Sequence, residues 1–432
     1  MTGSRVRFAT RVAATVLVLG KSTPSEAASL ATQLRAIPER SAGASELAVD
    51  VFTPRLLELT ARGIDFPAAS TTPGTTYTYN PDLGVYERST LLGPVYLERA
   101  ETVGEGKFDL AASYLRGNMQ DLNGNPLTTT QRFAYYDKMH VSFQAGHENF
   151  SRFSLVANVW AASLTYGITP DWDVNVLVPV VWTSLGVSAQ ATGLLPVSVT
   201  DEDNKVGVGD ILLRTKYHFF HRPDQLKHGP LTGNTDLAAG FVLRVPTGKP
   251  TNFHGLGATI VTPLLIASRT AGDRAGFYVN LGFDADATNA DASRFRYGMG
   301  AVVQPLDWLA GLLELLGSSG VSSTSVTQVV GTPGSTNSSA AIQSQLLATT
   351  GQLVDVTVEG PSGGKSRRAA LGLNLARIDI LDLSAGVKLN LPGNLVAYAT
   401  AIFPLTSAGV TANVIPTVGI SWSPDNSYKL PF

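Results

Sequence analysis

The chain has 432 residues, and its 32 Lys and Arg nearly balance its 34 Asp and Glu, which leaves a formal net charge of −2. That balance argues against a nucleic-acid partner, and the absence of cysteine excludes a disulfide framework and a thiolate metal site. Charged residues make up only 15% of the chain, below the ~25% of soluble domains, and the 42 glycines suit strands joined by turns.

The N-terminus predicts export from the cytoplasm. Arg5, Arg7 and Arg11 precede an apolar run over residues 12–20, and small residues near Ala27 offer a cleavage site. We therefore expect a signal peptide over residues 1–27. The run is too short to span a bilayer, and the rest of the chain has no uncharged apolar stretch of the ~18 residues that a transmembrane helix needs.

Residues 28–106 differ in character from the rest of the chain. The stretch 52–64 has apolar residues at helical rather than alternating spacing, and Pro38, Pro54 and Pro67 break up the region around it. This segment is predicted to be irregular or helical. It is either a periplasmic lead-in or a plug inside the structure formed by the remaining residues.

From residue 107 onward the pattern changes to alternation with a period of two, which predicts β-strands. We expect an all-β fold: a transmembrane antiparallel up-and-down β-barrel over residues 107–432, with about 12 strands and 14 possible. Single-chain bacterial barrels have an even number of strands. The expected strands are 107–116, 150–167, 171–184, 206–220, 236–247, 257–268, 275–285, 294–305, 308–316, 372–391, 394–405 and 412–423.

The strand 171–184 shows the outer face of this barrel best. A row of apolar side chains starts at Trp172 and ends at Trp182, and the ten steps between them cover ~33 Å along the strand, or ~23 Å vertically at a ~45° tilt. That height is close to the ~25 Å lipid-facing band of such barrels. The predicted aromatic girdle consists of Trp172, Trp182, Tyr217 and Phe219. Trp160 is either a further outer aromatic or a residue that stacks in the lumen.

The opposite faces of the strands are polar, and charges there require water or partners. The residues predicted to line a pore are Asp173, Asn175, Arg214, Lys216, His218, Arg244, Asn280, Asp284, Arg294, Arg296 and Lys388. Two interpretations remain open for Arg214, Lys216 and His218. They are a cationic strip that attracts carboxylates or phenolates, or part of a salt-bridge lattice with lumen carboxylates. The same alternatives apply to the other lumen cations.

The connections between strands predict the orientation. Short turns at 168–170, 305–307 and 392–394 alternate with longer stretches at 117–149, 185–205, 248–256 and 317–366. Since such barrels have short periplasmic turns and long extracellular loops, the low-complexity stretch 317–366 is expected outside the cell. Pro263 is in the middle of a predicted strand, where it would remove a ladder hydrogen bond.

Five stretches carry a family resemblance: GPVYLERAETVGEGKFDLAASY (93–114), TYGITPDWDVNVLVPVV (165–181), GVGDILLRTKYHFF (207–220), RVPTGK (244–249) and LVAYATAIFPLTSAGVTANVIPTVGISW (395–422). The chain resembles the outer-membrane transporters associated with the meta-pathway of phenol degradation, which relate to the fatty-acid and aromatic-hydrocarbon channel superfamily. The resemblance implies location in the bacterial outer membrane and passive uptake of small hydrophobic or aromatic compounds. It also implies a terminal aromatic residue that the barrel-assembly machinery recognises. Phe432 fits that signal, whereas Trp422 is the alternative end of the last strand.

The sequence offers no catalytic constellation, so we expect no enzyme, no cofactor site and no metal site. Gly248-Lys249 is followed by Pro250, which removes the magnesium ligand of a P-loop, and the six histidines are scattered. The leading function is therefore a channel, whose partners are outer-membrane lipid and small hydrophobic solutes. The alternative is a structural or adhesive barrel that acts through the loop 317–366, and a barrel enzyme is a third, weaker candidate.

Overall fold

The computed structural model describes residues 29–41, 48–49, 76–80, 85–89, 91–128, 130–137, 142–193, 196–223, 233–272, 274–322, 324–329, 351–359, 365–375 and 377–424. The predicted signal peptide, the stretch 52–64 and the terminal Phe432 lie outside these residues. Within the described part of the chain, no helix combines the length and the apolar character needed to cross a membrane.

The elements of the described residues, in chain order, are one helix and twenty-two strands, together with short 3-10 helices at Pro250–Asn252 and Ala290–Ala292. They are α1 (Leu30–Ser41), β1 (Ala48–Val49), β2 (Tyr77–Asn80), β3 (Val85–Arg88), β4 (Phe108–Leu122), β5 (Asn125–Pro126), β6 (Thr130–Asp137), β7 (Ser142–Thr169), β8 (Trp172–Thr192), β9 (Pro196–Val208), β10 (Ile211–Pro223), β11 (Asn234–Val245), β12 (Ile260–Ala271), β13 (Ala275–Asp286), β14 (Arg294–Leu306), β15 (Leu309–Gly320), β16 (Thr324–Val329), β17 (Gly351–Glu359), β18 (Lys365–Leu375), β19 (Asp379–Leu391), β20 (Leu395–Pro404), β21 (Val410–Ala412) and β22 (Ile415–Trp422).

Twelve antiparallel strands close into a barrel. The order around the wall is β4, β7, β8, β10, β11, β12, β13, β14, β15, β19, β20 and β22. The last strand then pairs with the first, with Trp422 opposite Leu110. The predicted fold class is confirmed, with twelve strands in the closed wall rather than fourteen. The other strands extend the wall or form small separate sheets.

The outer face of the wall is apolar because successive side chains of a strand point to opposite sides. In the apolar band of β8 the exposed side chains are Trp172, Val176, Val178, Val180 and Trp182, at 36 to 48% of their full area. Asp173, Asn175, Leu177 and Val181 alternate with them and are buried. An apolar outside with a mixed inside is the pattern of a barrel placed in lipid.

Three stretches expected as loops contain strands. The ends of β4 and β7 continue into 117–149 together with β5 and β6, and β8 continues through 185–192 beside β9. Leu185, Val187, Ala189 and Ala191 remain buried at alternate positions, so the period of two persists beyond the apolar band. The stretch 317–366 contains part of a separate three-stranded sheet made of β16, β17 and β18. Strands pair through backbone hydrogen bonds whether or not lipid surrounds them. The wall can therefore extend beyond the apolar band between Trp172 and Trp182.

Two prolines are placed at interruptions of the ladder. Pro179 of β8 falls between Leu177, which pairs with β10, and Val180, which pairs with β9. Pro263 of β12 falls between Val261 and Leu264, the residues on either side of a gap in the pairing with β13. Since proline has no N–H to donate, a gap of this kind accommodates it in the middle of a strand.

The two ends of the barrel differ, and we call them the short-turn end and the long-loop end. The short-turn end carries the connections 170–171, 307–308 and 392–394, and the long-loop end carries 246–259, 287–293, 321–378 and 405–414. Buried apolar residues fill each end. Leu30, Leu34 and Ile37 of α1 belong to a cluster with Leu155 and Phe253 at the long-loop end. A second cluster, around Leu91, Leu92, Val95 and Leu97, contacts Val302 and Leu312 toward the short-turn end.

Candidate functional site in the barrel lumen

Residues 91–107, which we call the inner segment, run through the lumen and are bonded to the surrounding wall. Three consecutive N–H groups, those of Val95, Tyr96 and Leu97, donate to Glu314 Oε1 of β15 at 3.1, 2.9 and 3.0 Å. Glu314 is fully buried. Because the inner segment has no strand partner there, a carboxylate of the wall takes the place of a backbone ladder.

Further wall side chains bind the inner segment on either side of Glu314. Leu92 N–H donates to Gln304 Oε1 of β14 at 3.0 Å, and Ala100 N–H donates to Ser268 Oγ of β12 at 2.8 Å. Thr102 Oγ1 then donates to the carbonyl of Pro170 in the β7–β8 turn at 2.5 Å. The segment thus follows the inside of the wall from β14 to the short-turn end of β7.

Inward-facing glycines make room for the apolar side chains of the segment. A Cβ built on Gly298 would lie 2.5 Å from Leu97 Cδ2, and one built on Gly300 would lie 2.9 Å from Leu97 Cδ1. Such distances are too short for real side chains, so the wall of β14 is shaped to receive Leu97. Only a residue without a side chain allows this approach.

Several predicted lumen residues contact the inner segment directly, among them Arg214, Lys216, Lys388 and Asn280. Arg214 forms an ion pair with Glu98, while Lys216 Nζ donates to the carbonyls of Arg99 and Glu101 at 3.0 and 2.8 Å. Lys388 Nζ donates to the carbonyl of Pro94 at 2.6 Å. Asn280 makes a two-way contact with Glu98, accepting from its N–H at 2.6 Å and donating to its carbonyl at 3.0 Å.

The remaining predicted lumen residues form smaller groups on the wall. Asp284 pairs with Arg294 at 3.3 Å and Arg296 at 2.9 Å, and it also accepts from Thr262 at 2.7 Å. Lys216 is 3.6 Å from Asp173, Arg244 is 3.8 Å from Asp210, His218 is 3.0 Å from Asp236, and Asn175 donates to Thr165 at 2.9 Å. The structure thus places the whole predicted set on the inner side, mostly within charge pairs. A pore-lining role for them stays a prediction.

Two neighbouring cavities lie on the inner side of the wall. One lies between the inner segment and the wall and is lined by Tyr96 and Glu98 of the segment and by polar and apolar wall residues, among them Arg214, Arg244, Arg296, Leu264 and Val242. The other is lined by Leu256, Asp286, Asn289 and Arg294 toward the long-loop end, and the two share Ile260. The lumen therefore offers, beside the inner segment, a cavity with both apolar and cationic walls.

Sequence reasoning missed the inner-segment residues Tyr96 and Glu98 and did not assign a role to Glu314. The one signal for Glu314 was a single carboxylate in the otherwise apolar stretch 308–316. Nothing in the local pattern around Tyr96 indicates that the residue is bound inside a barrel.

The predicted girdle residues Trp172, Trp182, Tyr217 and Phe219 are all exposed on the outer face. Trp172 Nε1 donates to Thr215 Oγ1 at 2.5 Å. Trp160 is also on the outside, 58% exposed, with its ring centroid 4.6 Å from that of Tyr114. Of the two interpretations of Trp160, the outer-face one agrees with this position.

Residues 121–312 match the model of a protein family described as "Putative MetA-pathway of phenol degradation". This match confirms the family resemblance indicated by the sequence. No curated protein matches the chain.

The solved structures to which the chain is similar share little sequence with it. An outer-membrane channel from Pseudomonas putida F1 has 12% identity, covers 75% of this chain and 97% of its own, and gives a TM-score of 0.44. The CymD monoaromatic hydrocarbon channel has 9% identity, with 75% and 90% covered and a TM-score of 0.31. The toluene transporter TbuX of Ralstonia pickettii has 11% identity, with 74% and 90% covered and a TM-score of 0.26.

Proposed function

We propose that this protein is an outer-membrane channel for the passive uptake of small hydrophobic or aromatic compounds. The observation that carries the proposal is a closed barrel with an apolar outside and, beside the inner segment, a cavity lined by both apolar and cationic residues. The proposal is for a channel and not for an enzyme.

The closed wall accounts for the location in the bacterial outer membrane. In the bilayer core every backbone N–H and C=O needs a partner within the protein, and a closed barrel supplies these partners because it has no free edge. The row from Trp172 to Trp182 supplies the matching apolar outer surface. Insertion by the barrel-assembly machinery is part of this proposal.

The substrate class is inferred from the lining of the cavity beside the inner segment together with the family match. Leu264 and Val242 offer apolar contact, Tyr96 offers an aromatic ring, and Arg244 offers a hydrogen-bond donor. The ring of a phenol can make the apolar and aromatic contacts, and its hydroxyl oxygen can accept a hydrogen bond from Arg244. Phenols are thus the first compounds to test.

We also propose that the inner segment is a plug rather than a lead-in. Its backbone is bonded to Gln304, Glu314 and Ser268, which belong to three different strands of the wall. A solute that crosses the barrel has to pass beside this segment or displace part of it.

The test is flux through the purified full-length protein in liposomes, measured with labelled phenol, toluene and a medium-chain fatty acid. We expect phenol flux above that of protein-free liposomes and above that of liposomes with a barrel of equal size from an unrelated family. Equal flux in all three preparations would favour the structural or adhesive alternative.

A further inference from the structure

His218 and His221 are brought to the same side of the wall by a β-bulge. Residues three apart in a regular strand point to opposite faces. Here the pairing of β10 with β11 shifts between His218, opposite Ala238, and Phe220, opposite Leu237. Phe219 and Phe220 are both exposed on the outer face, and both histidines therefore point inward.

Asp236 of β11 meets both imidazole rings. It is directly opposite His221 in the ladder, and its side chain is 3% exposed. Asp236 Oδ1 is 3.0 Å from His218 Nε2 and 2.5 Å from His221 Nδ1. Three potential ligand atoms, one from each residue, lie within 4.8 Å of one another.

The charge around these three residues favours a cation. Asp171 Oδ1 is 3.8 Å from His218 Nδ1, and Glu101 of the inner segment also interacts electrostatically with His218. Glu101 is 8% exposed, and among the described residues its Oε2 has no hydrogen-bond partner. Arg99 pairs with Glu101 Oε1 at 3.4 Å and offsets one of the three carboxylates.

We propose that His218, His221 and Asp236 bind a divalent transition metal such as Zn²⁺ at the short-turn end of the barrel. Two imidazole nitrogens and one carboxylate oxygen are ligands that Zn²⁺ prefers, and a fourth position is left for water. At bond lengths of 2.0–2.1 Å the ligands of tetrahedral zinc lie about 3.3 Å apart, so small side-chain adjustments suffice. The metal would join β10 to β11 just before residues 224–232.

The experiment is a calorimetric titration of Zn²⁺ into the full-length protein in detergent, purified without a polyhistidine tag and treated with a chelator beforehand. We expect saturable binding of one ion per chain. His221→Ala should weaken binding at least tenfold because it removes a ligand, and Asp236→Asn should do the same. His147→Ala, which changes an exposed histidine on β7, is the matched control and should bind like the wild type.

Folding is checked separately. Circular dichroism and heat-dependent migration in gels should be the same for His221→Ala and the wild type, since His221 is at the edge of the cluster. Co²⁺ bound to the wild type should show the strong visible absorption of a tetrahedral site, a readout that needs no variant. Absence of saturable binding, or equal binding by the His221→Ala and His147→Ala proteins, would overturn the proposal.

Discussion

At the residue scale, Glu314 has the most contacts with the inner segment. One of its oxygens accepts three backbone N–H groups, and the side chain is fully buried. A buried donor left without an acceptor costs about 1–3 kcal/mol. We therefore expect Glu314→Ala to lower the free energy of unfolding by at least about 2 kcal/mol, measured by urea titration in lipid.

The same substitution should also raise the conductance of the barrel, because the inner segment loses its central contact. Gln304→Ala is a graded control, since Gln304 accepts only one N–H, that of Leu92. Its effects on stability and conductance should both be smaller. If Gln304→Ala and Glu314→Ala had equal effects, the central role of Glu314 would be wrong.

Val178 tests the assignment of the two faces. It is exposed in the middle of the outer band of β8, between Trp172 and Trp182. Val178→Arg should cost about 2–4 kcal/mol because it places a charge near the bilayer midplane. The measurement is a folding titration in lipid, with Val178→Ala as a size control and Asn175→Ser as the inner-face comparison. Both controls should be milder.

At the element scale, the inner segment is held through Arg214 and Lys216 of β10. Arg214 pairs with Glu98, and Lys216 bonds to two carbonyls of the segment and to Asp173. Removing both charges takes the cationic partners away from the carboxylate of Glu98 and the buried carboxylate of Asp173. We expect the double variant Arg214→Gln/Lys216→Met to lower the unfolding midpoint and to raise conductance.

Ion selectivity of the same double variant separates the two interpretations of these cations. If the cations form a strip that guides anions, neutralising them should lower the anion-to-cation permeability ratio. The difference from the wild type should be smaller at 1 M salt, because the screening length falls there to ~3 Å from ~8 Å at physiological ionic strength. A reduced anion-to-cation permeability ratio without loss of stability would contradict the lattice interpretation.

The glycines of β14 give a second way to displace the inner segment without removing a charge. The side chain of Gly298→Leu would collide with Leu97, because a Cβ at position 298 would already lie 2.5 Å from Leu97 Cδ2. We expect higher phenol flux into liposomes. Gly311→Leu on β15 is the matched control, since a Cβ there meets no atom closer than 4.0 Å. Equal flux for the two variants would argue against the segment as a plug.

At the scale of the whole molecule, the open prediction is orientation. The connection from β15 to β19 is the longest at the long-loop end, and such loops are extracellular in outer-membrane barrels. An epitope tag inserted at Gly334 should thus be bound by antibody on intact cells. A tag inserted in the turn at Gly393 is the control, and antibody should reach it only after the outer membrane is permeabilised. If the Gly334 tag were labelled only after permeabilisation, the predicted orientation would be wrong.

Backbone pairing between strands explains why the sequence predicted some wall strands, such as β8, to end too early. Alternation between 185 and 192 continues a strand past the apolar band, although the stretch contains polar residues typical of a loop. Local composition indicates where lipid ends, whereas backbone hydrogen bonding decides where a strand ends.

The sequence by itself predicted twelve strands and the outer face of the wall. Two of the expected strands were too long: 206–220 runs from the end of β9 into β10, and 372–391 runs from the end of β18 into β19. Lipid requires apolar side chains at every second position, and that requirement is local and visible in any ten-residue window, such as Trp172 to Trp182. The contents of the lumen were decided only by the tertiary structure. Glu98 meets Arg214 across 116 positions, and Val95 meets Glu314 across 219. No local pattern records contacts between segments so far apart, and the bulge that unites His218 and His221 exists only in the pairing of β10 with β11.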